Sequence, residues 1–161
     1  MATTQCDVLI TAVPLPPRND ENGVPTNPHH RPQILSEANQ VAAAYAERAH
    51  LLVDPTLADF SAALDGRSIW VASMHGDVPL EGELVPAFCS DGRPESVSLR
   101  ALVETARPHV VDGRLRLIVL MGCKSLGLAK KLRELTGVPA IVCWETLVQD
   151  GGACVWGLLE Y

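Results

Sequence analysis

The sequence predicts an α/β fold, a three-layer sandwich in which about five mainly parallel strands carry helices on both faces. Short apolar runs, such as residues 69–74 and 117–121, have the length and branching of buried strands. Segments with helical spacing, bounded by Gly and Pro, separate these runs. Strands that alternate with helices in this way form βαβ units, whose right-handed crossovers produce a parallel sheet.

Composition favours one domain over residues 1–161. With 161 residues, 47% of them hydrophobic, the chain can form one well-buried core and is too short for two ordinary domains. A formal net charge of −6 argues against a nucleic-acid partner, which usually requires a basic surface. No apolar run approaches the roughly 20 residues that span a bilayer, so we expect no membrane partner.

The cysteines indicate a reducing compartment. There are five, at positions 6, 89, 123, 143 and 154, and none forms a Cys-x-x-Cys pair. An odd, scattered set is typical of reduced thiols rather than of a disulfide framework. The N-terminus also lacks the basic segment and long apolar core of a secretory signal. We therefore expect a cytoplasmic protein.

The first half of the chain is predicted to contain three strands and two helices. The strands cover residues 6–13, 50–53 and 69–74, and the helices cover residues 37–49, capped by Ser36, and 57–64. Residues 14–34 are polar and proline-rich without a hydrophobic period, which predicts a mobile loop. His29 and His30 lie in this loop without ligands at metal spacing, so no metal site is expected there.

After residue 75 the chain changes character. Residues 82–85 and 87–89 are predicted as the two arms of a hairpin, either an edge for extended substrates or a plain surface excursion. A helix is predicted over 99–106, capped by Ser96 or Ser98 and ending before Pro108. A strand over 117–121 and a helix carrying Leu128, Leu132 and Leu135 follow it. The remaining predicted elements are a buried strand over 140–144 and a last helix from Asp150.

Two strand ends carry complementary chemistry. Cys123 lies between the strand over 117–121 and the following helix, and the carboxyl ends of parallel strands are where α/β sheets keep their sites. A helix N-terminus and the adjacent Lys124 both favour the thiolate, which is the nucleophilic form. His75 directly follows the strand over 69–74, and histidine is the commonest general base for a thiol. Taken alone, however, a cysteine in such a position more often packs as a small hydrophobe.

Four elements, in this order, resemble those of caspase-like cysteine peptidases, in particular CHAT domains and the peptidase domain of separases. They are a strand ending in His75-Gly76, a strand ending in Met121-Gly122-Cys123-Lys124-Ser125, a later strand ending in Trp144-Glu145, and Asp150 at the start of the last helix. The histidine-to-cysteine spacing of 48 residues (123 − 75) is similar to that of caspases. Their Gln-Ala-Cys signature is absent, and Asp77-Val78 follows the His-Gly pair.

The resemblance implies a caspase-like fold and a division of roles. His75 would act as the base and Cys123 as the nucleophile, while the backbone N–H groups of Gly76 and Cys123 would form the oxyanion hole. This chemistry needs no metal and no cofactor.

The resemblance also implies a substrate pocket. Glu145 would pair with a substrate Arg or Lys, Trp144 would line the pocket or anchor the core, and Asp77 would belong to the same binding surface. Asp150 is either a further pocket residue or, more simply, the cap of the last helix. His50, Cys89, Cys143 and Cys154 are assigned to structure and packing.

These features predict a cysteine endopeptidase that cleaves peptide or protein substrates, with a preference for bonds after Arg or Lys. Its activity is either constitutive or latent until a regulatory protein partner or effector binds. One alternative is a catalytically inactive caspase-like module for protein binding or signalling. Another is a flavodoxin-like or receiver-like domain, although residues 13–18, Val-Pro-Leu-Pro-Pro-Arg, contain neither a phosphate-binding loop nor an acidic cluster.

Overall fold

A parallel β-sheet forms the middle layer of the protein. The computed structural model describes residues 7–14, 30–74, 84–90, 93–122 and 124–145. The strands in this part are β1 (Val8–Val13), β2 (Ala49–Val53), β3 (Ile69–Met74), β4 (Leu84–Ser90), β5 (Arg93–Ser98), β6 (Leu117–Leu120) and β7 (Ala140–Val142). Five of them pair in the order β2-β1-β3-β6-β7, and all four pairings are parallel. Strands β4 and β5 form a separate antiparallel hairpin.

Helices cover both faces of this sheet. They are α1 (His30–Tyr45), α2 (Leu57–Ala63), α3 (Leu99–Val111) and α4 (Leu126–Thr136), with a 3-10 turn at Ala46–Arg48. On one face, Ile34 and Val41 of α1 pack with Ile10. On the other, residues of α2, α3 and α4 form the larger core, which includes Phe60 and Leu132. The predicted three-layer α/β sandwich is therefore confirmed.

The central strands of the sheet are more buried than the edge strand β7. Every residue of β1 is buried, as expected for a strand with neighbours on both sides and helices on both faces. Strand β7, which the sequence predicts to be buried, forms one edge of the sheet, and Val142 is 46% exposed. Within the described residues, no helix is both long and apolar enough to cross a bilayer.

The helix α1 begins earlier than the sequence predicts. It starts at His30 rather than after Ser36, and Ser36 accepts a hydrogen bond from the Gln40 side chain (3.2 Å) instead of capping the helix. Pro32 is compatible with this start, because the first backbone N–H groups of a helix have no intrahelical acceptor. The predicted mobile loop at about 14–34 is thus too long, since residues 30–34 are helical, and residues 15–29 lie outside the described part of the chain.

Proline also fails to end α3 where the sequence predicts. The helix is capped by Ser98 as expected, with the Ala101 N–H donating to the Ser98 hydroxyl at 3.1 Å, but it continues past Pro108 to Val111. Pro108 lies in the last turn, so its missing N–H interrupts the hydrogen-bond ladder only near its end. The turn that follows uses Gly113 at φ +77°, a left-handed conformation that glycine adopts without strain.

The hairpin exists, but its strands differ from those predicted. Residues 84–85 and 87–89 both belong to β4, and the partner strand is β5. The register shifts between Val85 and Phe88, around Pro86, which has no N–H to donate to a ladder. Such a bulge lets the strand continue beyond the proline.

Three aromatic side chains join the hairpin to the sheet. Phe60 of α2 lies with its ring centre 4.7 Å from that of Trp70 in β3 and 5.4 Å from that of Phe88 in β4. The Trp70 indole N–H donates to the buried Thr11 hydroxyl of β1 at 3.0 Å, which satisfies its polar end. This aromatic cluster of Phe60, Trp70 and Phe88 therefore connects both sheets through one helix.

We expect Phe60→Ala to lower the free energy of unfolding by about 3–5 kcal/mol, because it removes the ring that contacts both Trp70 and Phe88 and leaves a cavity. Urea unfolding followed by tryptophan fluorescence measures the change. The matched control is Leu135→Ala on α4, where the side chain is 46% exposed and the expected loss is below about 1 kcal/mol. Equal losses in the two variants would contradict the central role of the aromatic cluster.

Candidate active site

Three neighbouring parallel strands end at the same edge of the sheet. They are β3, β6 and β7, whose last residues are Met74, Leu120 and Val142. The Met121 N–H donates to the Ala72 carbonyl at 2.9 Å, so backbone pairing between β3 and β6 extends one residue beyond β6. Ligand and catalytic sites of open parallel sheets lie at this edge. We refer to residues 74, 121–122, 124–125 and 143–145 as the carboxyl edge.

Most predicted site residues lie outside the described part of the chain. These are His75, Gly76, Asp77, Cys123 and Asp150. Their nearest described neighbours are Met74, which precedes His75, and Gly122 and Lys124, which flank Cys123. The described part of the carboxyl edge therefore consists of the sequence neighbours of His75 and Cys123 and of the two predicted pocket residues, Trp144 and Glu145.

The turn that connects β6 to α4 has an unusual backbone at Lys124. Its φ is +50°, in the left-handed region that costs a non-glycine residue roughly 1–2 kcal/mol. Gly122, two residues earlier, is buried, whereas Lys124 is exposed. Strained positions of this kind concentrate where a loop is held in one functional geometry. The surrounding contacts must supply the free energy that holds the turn.

Ser125 supplies two of those contacts. It is buried, with 5% exposure, and its hydroxyl donates to the Leu120 carbonyl at the end of β6 (3.4 Å). The same oxygen accepts the Trp144 N–H at 3.1 Å. The next residue, Leu126, donates its N–H to the Trp144 carbonyl, also at 3.1 Å. The start of α4 is therefore bonded to both polar groups of the Trp144 backbone, an arrangement we call the Ser125 clamp.

Sequence reasoning missed the Ser125 clamp. A serine directly before a helix predicts an N-cap, which is what Ser98 does for α3. Ser125 precedes α4 in the same way but makes no capping hydrogen bond. Nothing in the sequence signals this change, because its partner Trp144 is 19 residues away and reaches it only through the pairing of β6 with β7.

The two predicted pocket residues follow β7. Trp144 is half-buried and Glu145 is exposed, so the carboxylate faces solvent at the carboxyl edge rather than the core. Position and exposure suit a group that meets a charged ligand from solution. The prediction that Glu145 recognises a basic side chain remains a prediction.

The Cys143 thiol at the carboxyl edge has a pKa that its surroundings raise. Its side chain is partly buried and packs against the larger core. Burial raises the pKa of the Cys143 thiol, the Lys130 ammonium lowers it, and the Glu145 carboxylate raises it. The net pKa is above the ordinary value of 9.0, which keeps this thiol protonated at neutral pH. Packing, the role expected for Cys143, agrees with this state.

A depression in the described part of the chain shares no residue with the carboxyl edge. It has a volume of about 330 Å³ and includes His50, Asp54 and Asp59 in its lining. This depression adjoins β2, at the opposite edge of the sheet from β7. The buried Cys89 thiol donates to the Asp54 carboxylate at 3.3 Å, and Nδ1 of His50 lies 3.3 Å from the Arg67 guanidinium. These contacts support the structural roles expected for Cys89 and His50.

We expect Glu145→Gln to speed the alkylation of Cys143 at neutral pH, because removing a negative charge lowers the thiol pKa and increases the thiolate fraction. Lys130→Gln should act in the opposite direction and slow it. Site-resolved iodoacetamide labelling with mass spectrometry across pH 6 to 10 measures both rates. Glu104→Gln, which removes an exposed carboxylate paired with Arg100 on α3, should leave the rate unchanged. Equal rates in all variants would show that neither Glu145 nor Lys130 affects the pKa of the Cys143 thiol.

Comparison with known proteins assigns no family to this geometry. No protein-family model and no curated protein sequence matches the chain. What the protein does is therefore inferred from its own residues.

Proposed function

We propose that the protein is a cysteine endopeptidase of the caspase-like kind, in which Cys123 attacks the peptide carbonyl and His75 transfers the proton. The observation that carries this proposal is the parallel pairing of β3 with β6 at the middle of the sheet. Met74 is the last residue of β3 and precedes His75 in the sequence. Gly122 is the second residue after β6 and precedes Cys123. The two functional groups thus belong to loops that leave adjacent strands at the same edge.

The register of these strands supports the same pairing. Ile69 lies opposite Leu117 and Ala72 opposite Leu120, so paired residues are 48 positions apart (117 − 69). His75 and Cys123 are separated by the same number (123 − 75). Adjacent strands are ~4.8 Å apart, so two loops that leave neighbouring strands at the same level start about one strand spacing from each other. A different register would separate the base from the nucleophile.

Local electrostatics support Cys123 as the thiolate. Lys124 brings a positive charge next to it in sequence, and the N-terminus of α4 begins three residues later, at Leu126. Both features stabilise negative charge on a nearby sulfur. Cys143 contrasts with this, since burial and Glu145 raise its pKa.

The proposed reaction proceeds in two stages. His75 accepts the proton of the Cys123 thiol, and the sulfur forms a bond to the substrate carbonyl carbon. Backbone N–H groups of Gly76 and Cys123 donate to the oxyanion, and each such donor is commonly worth about 3 kcal/mol. The C–N bond then breaks as His75 protonates the leaving amine. In the second stage a water molecule, activated by His75, hydrolyses the thioester and restores the free thiol.

Glu145 is proposed to select substrates with Arg or Lys before the cleaved bond. It is an exposed carboxylate beside the half-buried Trp144 at the carboxyl edge. A carboxylate in this position can accept hydrogen bonds from a guanidinium or an ammonium group. The overall charge of −6 also favours encounter with basic peptides. A reducing cytoplasm would keep the proposed nucleophile active.

We expect Cys123 to be alkylated faster than Cys89 and Cys143 at pH 5 to 7 and to lose this advantage in His75→Ala. The reason is that a histidine partner maintains the thiolate below the ordinary cysteine pKa. Labelling each thiol between pH 5 and 9 and quantifying it by mass spectrometry gives the comparison. His109→Ala on α3 is the matched control and should retain the wild-type profile. If Cys123 labels no faster than Cys89 in the wild-type chain, the dyad does not exist in this state.

We expect Glu145→Gln to lower kcat/KM for peptides with Arg before the cleaved bond by about tenfold, the size of a lost charge-assisted hydrogen bond. Peptides that carry the neutral isostere citrulline should be cleaved equally by both enzymes. The matched control is Glu134→Gln, which removes an exposed carboxylate near the opposite end of α4. An equal loss for both peptides would show that Glu145 supports the fold and not the recognition of charge.

A further inference from the structure

Ser125 directly precedes a helix but makes different hydrogen bonds from the residues that cap α2 and α3. At the starts of α2 and α3, Thr56 and Ser98 have extended backbones and cap their helices with their hydroxyl groups. Ser125 has a helical backbone (φ −79°, ψ 0°) and makes no such bond. Its hydroxyl instead bridges the ends of two strands, with Leu120 of β6 as acceptor and the Trp144 N–H beyond β7 as donor. The hydroxyl therefore serves the contact between strands rather than the helix.

The Ser125 clamp holds the backbone of one residue, Trp144, through both of its polar groups. The Trp144 N–H donates to Ser125, and the Trp144 carbonyl accepts from the Leu126 N–H, both at 3.1 Å. Two consecutive residues of one segment therefore set the translation and the rotation of the Trp144 backbone. Strand pairing does not set them, because β7 ends at Val142, two residues earlier.

We propose that Ser125 is a positioning residue that fixes the distance between the Cys123 loop and the Glu145 carboxylate, and so sets the selectivity for basic side chains. This inference rests on the proposed peptidase function. Ser125 is two residues after Cys123, and Trp144 directly precedes Glu145. The clamp is thus the short connection between the residue that attacks the substrate and the residue that recognises its side chain. Productive geometry tolerates only small displacements between such groups.

Ser125→Ala tests the clamp directly, and α4 provides a matched control. At the other end of this helix, the buried Thr136 hydroxyl donates to the Leu132 carbonyl (2.6 Å) and accepts the Val138 N–H (3.2 Å). Thr136→Val therefore removes an equivalent pair of bonds from the same helix, far from the carboxyl edge. Ser125→Thr keeps the hydroxyl and adds only a methyl group.

Two measurements on the full chain separate positioning from stability. Hydrogen exchange should show the Trp144 amide exchanging about fivefold faster in Ser125→Ala, the effect of one lost hydrogen bond, with no change in Thr136→Val. The preference for arginine over citrulline peptides, as a ratio of kcat/KM values, should fall about fivefold in Ser125→Ala. It should remain at the wild-type level in Thr136→Val and in Ser125→Thr, even where the added methyl group lowers stability.

Contrary results fall into distinct classes. An unchanged Trp144 amide in a folded Ser125→Ala chain would overturn the clamp. Faster exchange with an unchanged preference, or an equal loss of preference in Thr136→Val, would overturn the positioning role. If Ser125→Ala does not fold, a lost preference in Ser125→Thr also overturns it. A wild-type chain without Cys123-dependent cleavage would overturn the peptidase proposal and the selectivity role together, and the exchange result would still decide whether Ser125 holds Trp144.

Discussion

The parallel pairing between β3 and β6 is the constraint on which the carboxyl edge depends. Both strands alternate between the two helical layers, so Trp70 and Ile118 enter the larger core while Val71 faces α1. A slip of one residue would turn each buried side chain to the wrong face. Trp70 opposes such a slip, because its indole bonds to Thr11 and its ring packs on Phe60. The level at which each strand ends is therefore set by packing well below the edge.

The fold alone does not identify the chemistry. Counted within the parallel sheet, the strand order is 2-1-3-4-5, which flavodoxin-like proteins also use, with their ligand at the switch point between β1 and β3. One architecture hosts many functions, so the residues that follow the strands must distinguish them. Pro14 follows β1 here, whereas β3 is followed by His75. The sequence after Pro14 matches no phosphate-binding loop, whereas His75 would act as a base under the proposed function.

The sequence predicts best those features whose cause is local. Ser98 caps α3 by accepting the Ala101 N–H three residues later, and β3 covers the predicted apolar run of residues 69–74. The predicted start of α1 is wrong because residues 30–36 carry no hydrophobic period, and the predicted end of α3 is wrong because Pro108 in the last turn costs the helix little. The hairpin partner was wrong because strand pairing is a choice among distant segments. Residues at the strand ends could be identified from the sequence, whereas the contacts between them depend on the assembled sheet.

Position at a strand end does not by itself prepare a nucleophile. Cys143 directly follows β7 at the same edge as the turn after β6, yet its side chain packs against the core and burial raises its pKa. The turn after β6 differs in the features that matter, since it has an exposed lysine, a left-handed backbone at Lys124 and a helix start close by. Glu145, which raises the pKa of the Cys143 thiol, would have the opposite use toward a basic substrate. The Glu145 carboxylate would then keep the Cys143 thiol protonated and, in the proposed function, bind the basic peptide that Cys123 attacks.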